Sequence, residues 1–197
     1  ILNNLQKIKD LRVISRTSVE QYRDQKKPIP EIAQELGVKY IVEGSGQKYG
    51  SNFRLRTQLI MAARETHLWG ESFQQKITEV EDIFNIQTKI AESVAEELKA
   101  IVTPDEKQLI EKIPTMNLTA YDEYLKGKFY MYNLINQDDI NWETAMKFFE
   151  QAKERDPDFA LAYAGMASIW MFRQQMGLAP PEEAGQKITE NVEKALE

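Results

Sequence analysis

"YIVEGSGQKYGSNFRLRTQLI" (residues 40–60) sets Gly44, Ser45 and Gly46 beside Lys48, Arg54 and Arg56. A glycine loop that cradles a phosphate runs into a helix, whose first amides face the anion. Here the following residues do something else. Phe53, Leu55, Thr57 and Leu59 alternate with Asn52, Arg54, Arg56 and Gln58. That period of two builds a strand with one buried and one polar face. The glycines at 44, 46 and 50 also miss the G-x-G-x-x-G spacing. "YGSN" (49–52) carries the residue types of a hairpin turn. Strand, turn and strand is the preferred reading, with Arg54 and Arg56 on the wet face. An anion site is kept as the alternative. Between residues 39 and 65, Lys39, Lys48, Arg54, Arg56 and Arg64 face only Glu43 and Glu65. Lys48, Arg54 and Arg56 are therefore the candidate ligand set for a small anion or nucleotide.

Working outward, "RVIS" (12–15) predicts a short strand, with Thr17 or Ser18 as caps of a following helix. "PIPEIAQELG" (28–37) predicts a helix with Pro30 in its first turn and Gly37 as its stop. "THLWGESFQ" (66–74) is a further strand, which brings the expected sheet to about four. From Thr78 the period lengthens. Thr78 and Glu81 have capping-box spacing, and Ile83, Ile90, Val94, Leu98 and Ile101 line one face of a long helix ended by Pro104. That stripe is expected to cover the sheet. Residues 104–117, polar with two prolines, read as a linker.

Residues 118–197 read as helical throughout. In "AMKFFEQAKERDPDFALAYAGMASIW" (145–170), Ala145, Phe149, Ala152 and Pro157 precede Tyr163, Met166, Ala167 and Trp170 at the spacings of a tetratricopeptide unit. Small residues allow close helix approach, an aromatic fills the space beside them, and proline ends the second helix. Val192 and Ala195 echo Phe149 and Ala152, while Gly127 and Tyr130 mark a preceding first helix. One full unit and part of a second are expected, with a long connection at "NLINQDDI" (133–140).

Composition narrows the function. The 197 residues carry 25 basic and 31 acidic side chains, a net charge of −6. That balance argues against a general nucleic-acid binder, which needs a basic footprint. With no cysteine, thiolate metal sites and cysteine nucleophiles are excluded. His67 is the single histidine, with Glu65 as its one near acid, so no metal site is expected. No apolar run reaches the length of a bilayer span. The chain opens without Met, inside an apparent helix, and reads as a piece of something longer.

The run from "LRVISRTS" (11–18) to "ESVA" (92–95) resembles the TolB-like amino-terminal domain of bacterial signalling proteins. Its carriers are Ser15-Arg16-Thr17-Ser18, Ile32-Ala33, Leu36-Gly37-Val38, Glu43-Gly44-Ser45, Arg54, Leu59, Leu68-Trp69 and Ile83-Phe84 with Gln87. "AYDEYLKGKFY" (120–130) and "FFEQAKERDPDFALAYAGMA" (148–167) resemble the tetratricopeptide repeats that usually follow it. The resemblance implies a regulatory region attached to an output module: a class III adenylate cyclase, a winged-helix regulator or a kinase. It carries over no catalytic residue and no cofactor.

The expected fold is α+β: a small mixed α/β domain (1–103), a linker (104–117) and a tetratricopeptide array (118–197). The expected function is non-catalytic protein interaction. Its groove set is Tyr121, Tyr124, Lys128 and Met131 with Leu161, Ala164, Ser168 and Met171. The partner would be a protein or peptide, and a homodimer stays open. A cytoplasmic location is expected, with the periplasmic side of a membrane-anchored parent as the alternative.

Overall fold

The structure is a computed structural model that describes residues 1–23, 27–50, 52–133 and 142–197, with backbone alone at Lys48 and Asn133. The fold is α+β. Two compact units divide the chain, Ile1–Lys112 and Ile113–Glu197.

In the first unit, β1 (Tyr40–Tyr49), β2 (Asn52–Met61) and β3 (Thr66–Lys76) form one antiparallel sheet in the order β1-β2-β3. Tyr49 pairs with Asn52, so the expected hairpin forms, with Gly50 at φ 59 in its turn. Ser51, within that turn, lies outside the described residues. The glycines of the opening stretch belong to β1. Gly46 faces Leu55 across the ladder, and a Cβ there would lie 3.5 Å from the Phe53 ring. The expected fourth strand is absent among the described residues, because Arg12–Ser15 pairs with nothing in the sheet. Among the described residues the sheet is purely antiparallel. At Leu59/Ile60 the register with β3 shifts, Leu59 meeting Trp69 and Ile60 meeting His67. β1 has β2 on one side and no other described partner, and its Tyr40, Val42 and Tyr49 are exposed.

Three short or medium helices precede the sheet: α1 (Leu2–Leu5), α2 (Arg16–Glu20) and α3 (Ile29–Leu36). Ser15, rather than Thr17 or Ser18, caps α2, its hydroxyl accepting from the Ser18 amide at 3.4 Å. Gly37 stops α3 at φ 63, the left-handed conformation that favours glycine. The long helix α4 (Val80–Glu97) lays Ile86, Ile90, Ala91, Val94 and Ala95 against Leu59, Leu5 and Ile8. Its cap sits one residue later than the sequence spacing suggests. The Asp82 carboxylate accepts from the Thr78 and Glu79 amides at 2.9 and 3.1 Å. Those two bonds hold its pKa below the usual value.

α4 ends well before Pro104, with Lys99 at φ 53, and Ile101 is 73% exposed instead of joining the stripe. Pro104 opens a new helix, α5 (Pro104–Glu111), inside the expected linker. Proline suits a first helical position because its missing amide is unbonded there anyway. Thr103 and Glu106 close a capping box around it, and Ile110 is buried in the core of the first unit. The Glu106 carboxylate accepts from Thr103 and also from the Lys9 amide at 3.1 Å, which pins α5 to the amino-terminal segment.

The second unit holds α6 (Leu118–Asn133), α7 (Trp142–Arg155), α8 (Ala160–Gln175) and α9 (Pro181–Leu196). The connection expected to be long, with Asp138 and Asp139, falls on residues 134–141, outside the described residues. Phe149 is the centre of this unit and is fully buried. A Cβ on Gly127 of α6 or on Gly165 of α8 would stand 2.7 Å from its ring. Two helices can flank that ring only because both lack a side chain there. Tyr124 packs beside it, 5.8 Å from Phe149 and 5.2 Å from Phe159 between centroids. Ala145, Ala152 and Ala162 are fully buried as well. Val192, the echo of Phe149, is 41% exposed, so the second pair does not repeat this wedge.

Two measurements check this packing. Gly165→Ala costs about 1–3 kcal/mol in urea unfolding through overpacking against Phe149, despite its better helix propensity. Gly185→Ala, in α9 with open space around it, gains up to about 1 kcal/mol instead. Burial pushes the Tyr124 phenol well above its ordinary value. The raised folded value means that stability is complete below the unfolded phenol pKa of about 10 and falls as pH rises past it. Tyr124→Phe removes that alkaline loss, read as the change in urea midpoint between neutral pH and pH ~11.

Candidate functional site

The candidate residues of the first unit fall in different pairs of the β-ladder. β-pairing sets Arg54 between Gln47 and Gln74, and Arg56 between Ser45 and Ser72. Lys48 pairs with Phe53, in the alternate row, and its side chain lies outside the described residues. Arg56 is exposed and Arg54 half-buried. Neither makes an ion pair among the described residues, and Arg54 Nε is buried without a hydrogen-bond acceptor. The one carboxylate in those rows, Glu43, accepts from Gln58 at 2.9 Å.

The expected groove set also divides. Tyr121 and Tyr124 are buried, their rings 6.1 Å apart. Both are core residues, Tyr124 packing against the Phe149 and Phe159 rings. Lys128 lies over the Tyr124 and Tyr132 rings at 5.5 and 5.6 Å. Met131 and Leu161 are half-buried, and Ala164 is exposed. Ser168 is half-buried and donates to the Ala164 carbonyl at 2.8 Å, while Met171 is 45% exposed.

A cavity lies on the other side of α8. It encloses about 500 Å³ between α7, α8 and α9, within the range of binding clefts. Tyr163, Met166 and Trp170, at three- and four-residue steps along α8, form an aromatic and thioether floor. Met146, Glu150 and Lys153 of α7 make one wall, and Lys187, Glu190, Asn191 and Lys194 of α9 the other. Arg173 lies over the Trp170 ring at 4.7 Å, a cation–π contact that holds the guanidinium at the cleft. Asn191 is buried and donates to the Lys187 carbonyl at 2.7 Å, an interior bond of α9.

Charge is unevenly satisfied here. Lys187 pairs with Glu190 at 3.0 Å, and Lys194 with Glu197 at 2.6 Å. The bonds from Gln186 and Lys187 lower the Glu190 pKa, and the Glu197 bond raises that of Lys194. Both groups therefore stay charged at neutral pH. Lys153, Arg173 and Glu150 form no ion pair among the described residues. No titratable group in the cleft has the companion needed for nucleophile–base work, and no metal-holding cluster occurs among the described residues. The arrangement offers contact: an apolar floor under a rim with surplus cations.

Tyr163, Met166 and Trp170 were legible as packing positions but not as a floor. The available signal was that α8 is apolar on two faces, more than one hairpin partner can cover.

Comparison with known proteins gives one informative likeness. The chain is 27% identical over 190 residues to "Putative adenylate cyclase 3" of Rhizobium meliloti (strain 1021), a match that covers 95% of this chain. It spans 31% of the length of that protein. No family model matches the chain, and no solved structure does.

Proposed function

We propose that this chain is a non-catalytic interaction and regulatory region of a larger signalling protein, whose output module is of the adenylate cyclase kind. On this reading residues 1–103 form a TolB-like domain, and 118–197 form tetratricopeptide hairpins that receive a peptide or helix of a partner. The carrying observation is the cleft over α8, where a Met- and Trp-lined floor stands open beneath charged walls. Methionine and aromatic floors suit adaptable docking. The partial coverage of the cyclase-named relative supports the same reading, because a regulatory segment occupies only part of such a protein.

A photo-crosslinking residue in place of Met146 or Tyr163 then gives one discrete adduct in the source cell. The same residue in place of Glu182, outside the cleft, gives none. The purified chain forms no cyclic AMP from ATP. Turnover by the chain alone, or identical adducts from inside and outside the cleft, overturns the reading.

A second reading rests on Arg54, whose buried Nε lacks an acceptor that a bound anion would supply. In it, Arg54 and Arg56 hold a phosphate-bearing metabolite on the outward rows of the sheet. Calorimetry with nucleotides and phosphorylated metabolites tests it. Micromolar binding lost in Arg54→Ala/Arg56→Ala favours the sensor, and silence across that panel removes it.

A further inference from the structure

The interaction reading leaves the chemistry of the partner open, and the α7–α8–α9 cleft narrows it. Resting on that reading, we propose that the cleft receives a short amphipathic helix whose apolar face is flanked at both ends by acidic residues.

The distribution of charge along the cleft carries this inference. α7 runs into α8 through residues 156–159, so Lys153, in the last turn of α7, stands near the start of α8. Lys194, near the end of α9, feels Tyr163 and Asp158 at that same end. Arg173 belongs to the last turn of α8, and α9 begins after residues 176–180, so Lys187, in the second turn of α9, lies nearer this opposite end than Lys194 does. Lys153 and Lys194 thus lie toward one end of the cleft and Lys187 and Arg173 toward the other, with Tyr163 and Met166 between them.

Two of the four cations already have intramolecular partners. Lys187–Glu190 and Lys194–Glu197 are solvated pairs within one helix, of the kind that exchanges readily for a better acceptor. Lys153 and Arg173 hold no carboxylate among the described residues, and they sit at opposite ends. Glu150 stands between Met146 and Lys153 on the wall and disfavours an acid at the middle of a bound segment. The pattern calls for acid, apolar, acid.

Length selects a helix of modest size. Tyr163 and Arg173 are ten residues apart on α8, so the cleft runs about 15 Å along that helix, close to ten residues of an α-helical ligand. Such a ligand would lie in the furrow between α7 and α9 and present residues at i, i+3, i+4 and i+7 to the floor.

Calorimetry on the whole chain tests this with two synthetic helical peptides of about 14 residues. They share one Leu/Phe face and differ only in carrying Glu or Lys at both ends. The glutamate peptide binds at least about tenfold tighter than the lysine peptide, and added salt weakens it. Lys153→Glu with Arg173→Glu erases or reverses the preference, while Lys126→Glu on α6, outside the cleft, leaves it unchanged. If that double variant fails to fold, the salt dependence of the wild-type chain carries the test. Equal binding of both peptides, or preference for lysine, refutes the acidic partner and leaves helix docking intact. Binding of neither peptide at millimolar concentration removes the cleft as a docking site altogether.

Discussion

The second unit depends on one steric fact: the Phe149 ring occupies the space where Gly127 and Gly165 would each carry a side chain. Everything around it follows. The ring of α7 sits against both α6 and α8, Tyr124 packs beside it, and Ala145, Ala152 and Ala162 are fully buried in the same unit. A core of this kind relies on shape more than on area, since a single added methyl meets a rigid aromatic instead of a flexible chain end. The glycines at these positions therefore have nothing to do with backbone freedom. Both lie in helices and serve by absence.

The same constraint decides which side chains are left for contact. Once Tyr121 and Tyr124 are committed to the core, the groove read from spacing alone loses its two aromatics. The face of α8 that bears Tyr163, Met166 and Trp170 becomes the apolar surface with room above it. α7 and α9 stand on either side of that face, and the cleft is a by-product of how hairpins stack. Helical repeats commonly expose surfaces of this sort, and their specificity comes from what lines the walls. Here the walls are charged and only partly neutralised, Lys153 and Arg173 having no carboxylate among the described residues.

Much of this architecture was readable from residues alone. Alternation from Phe53 to Leu59 identified β2, and its partner strand followed from the turn residues at 49–52. Gly37 marked the end of α3 because a left-handed stop favours glycine. The failures have physical causes. "RVIS" has strand-forming residues, yet β-propensity reports fit to a pleated surface and not an intrinsic preference, so Arg12–Ser15 stays unpaired. Proline at 104 signals both the stop of one helix and the start of another, and only the Thr103–Glu106 spacing distinguishes the two. Lys48 was grouped with Arg54 and Arg56 by proximity in sequence, but hairpin register sorts residues by parity, which separates them. The cleft was the least legible feature. Its residues come from three helices, and no local pattern encodes which faces remain uncovered after stacking.

β1 has a consequence of its own. Ten residues long and paired along one side, it leaves a row of amides and carbonyls with no sheet neighbour among the described residues. Charged gatekeepers are sparse on it: Glu43 and Lys48 are the only ionic residues between Tyr40 and Tyr49. An unpaired margin of this kind is a template with which extended polypeptide can pair, and a lysine or proline along a strand blunts it.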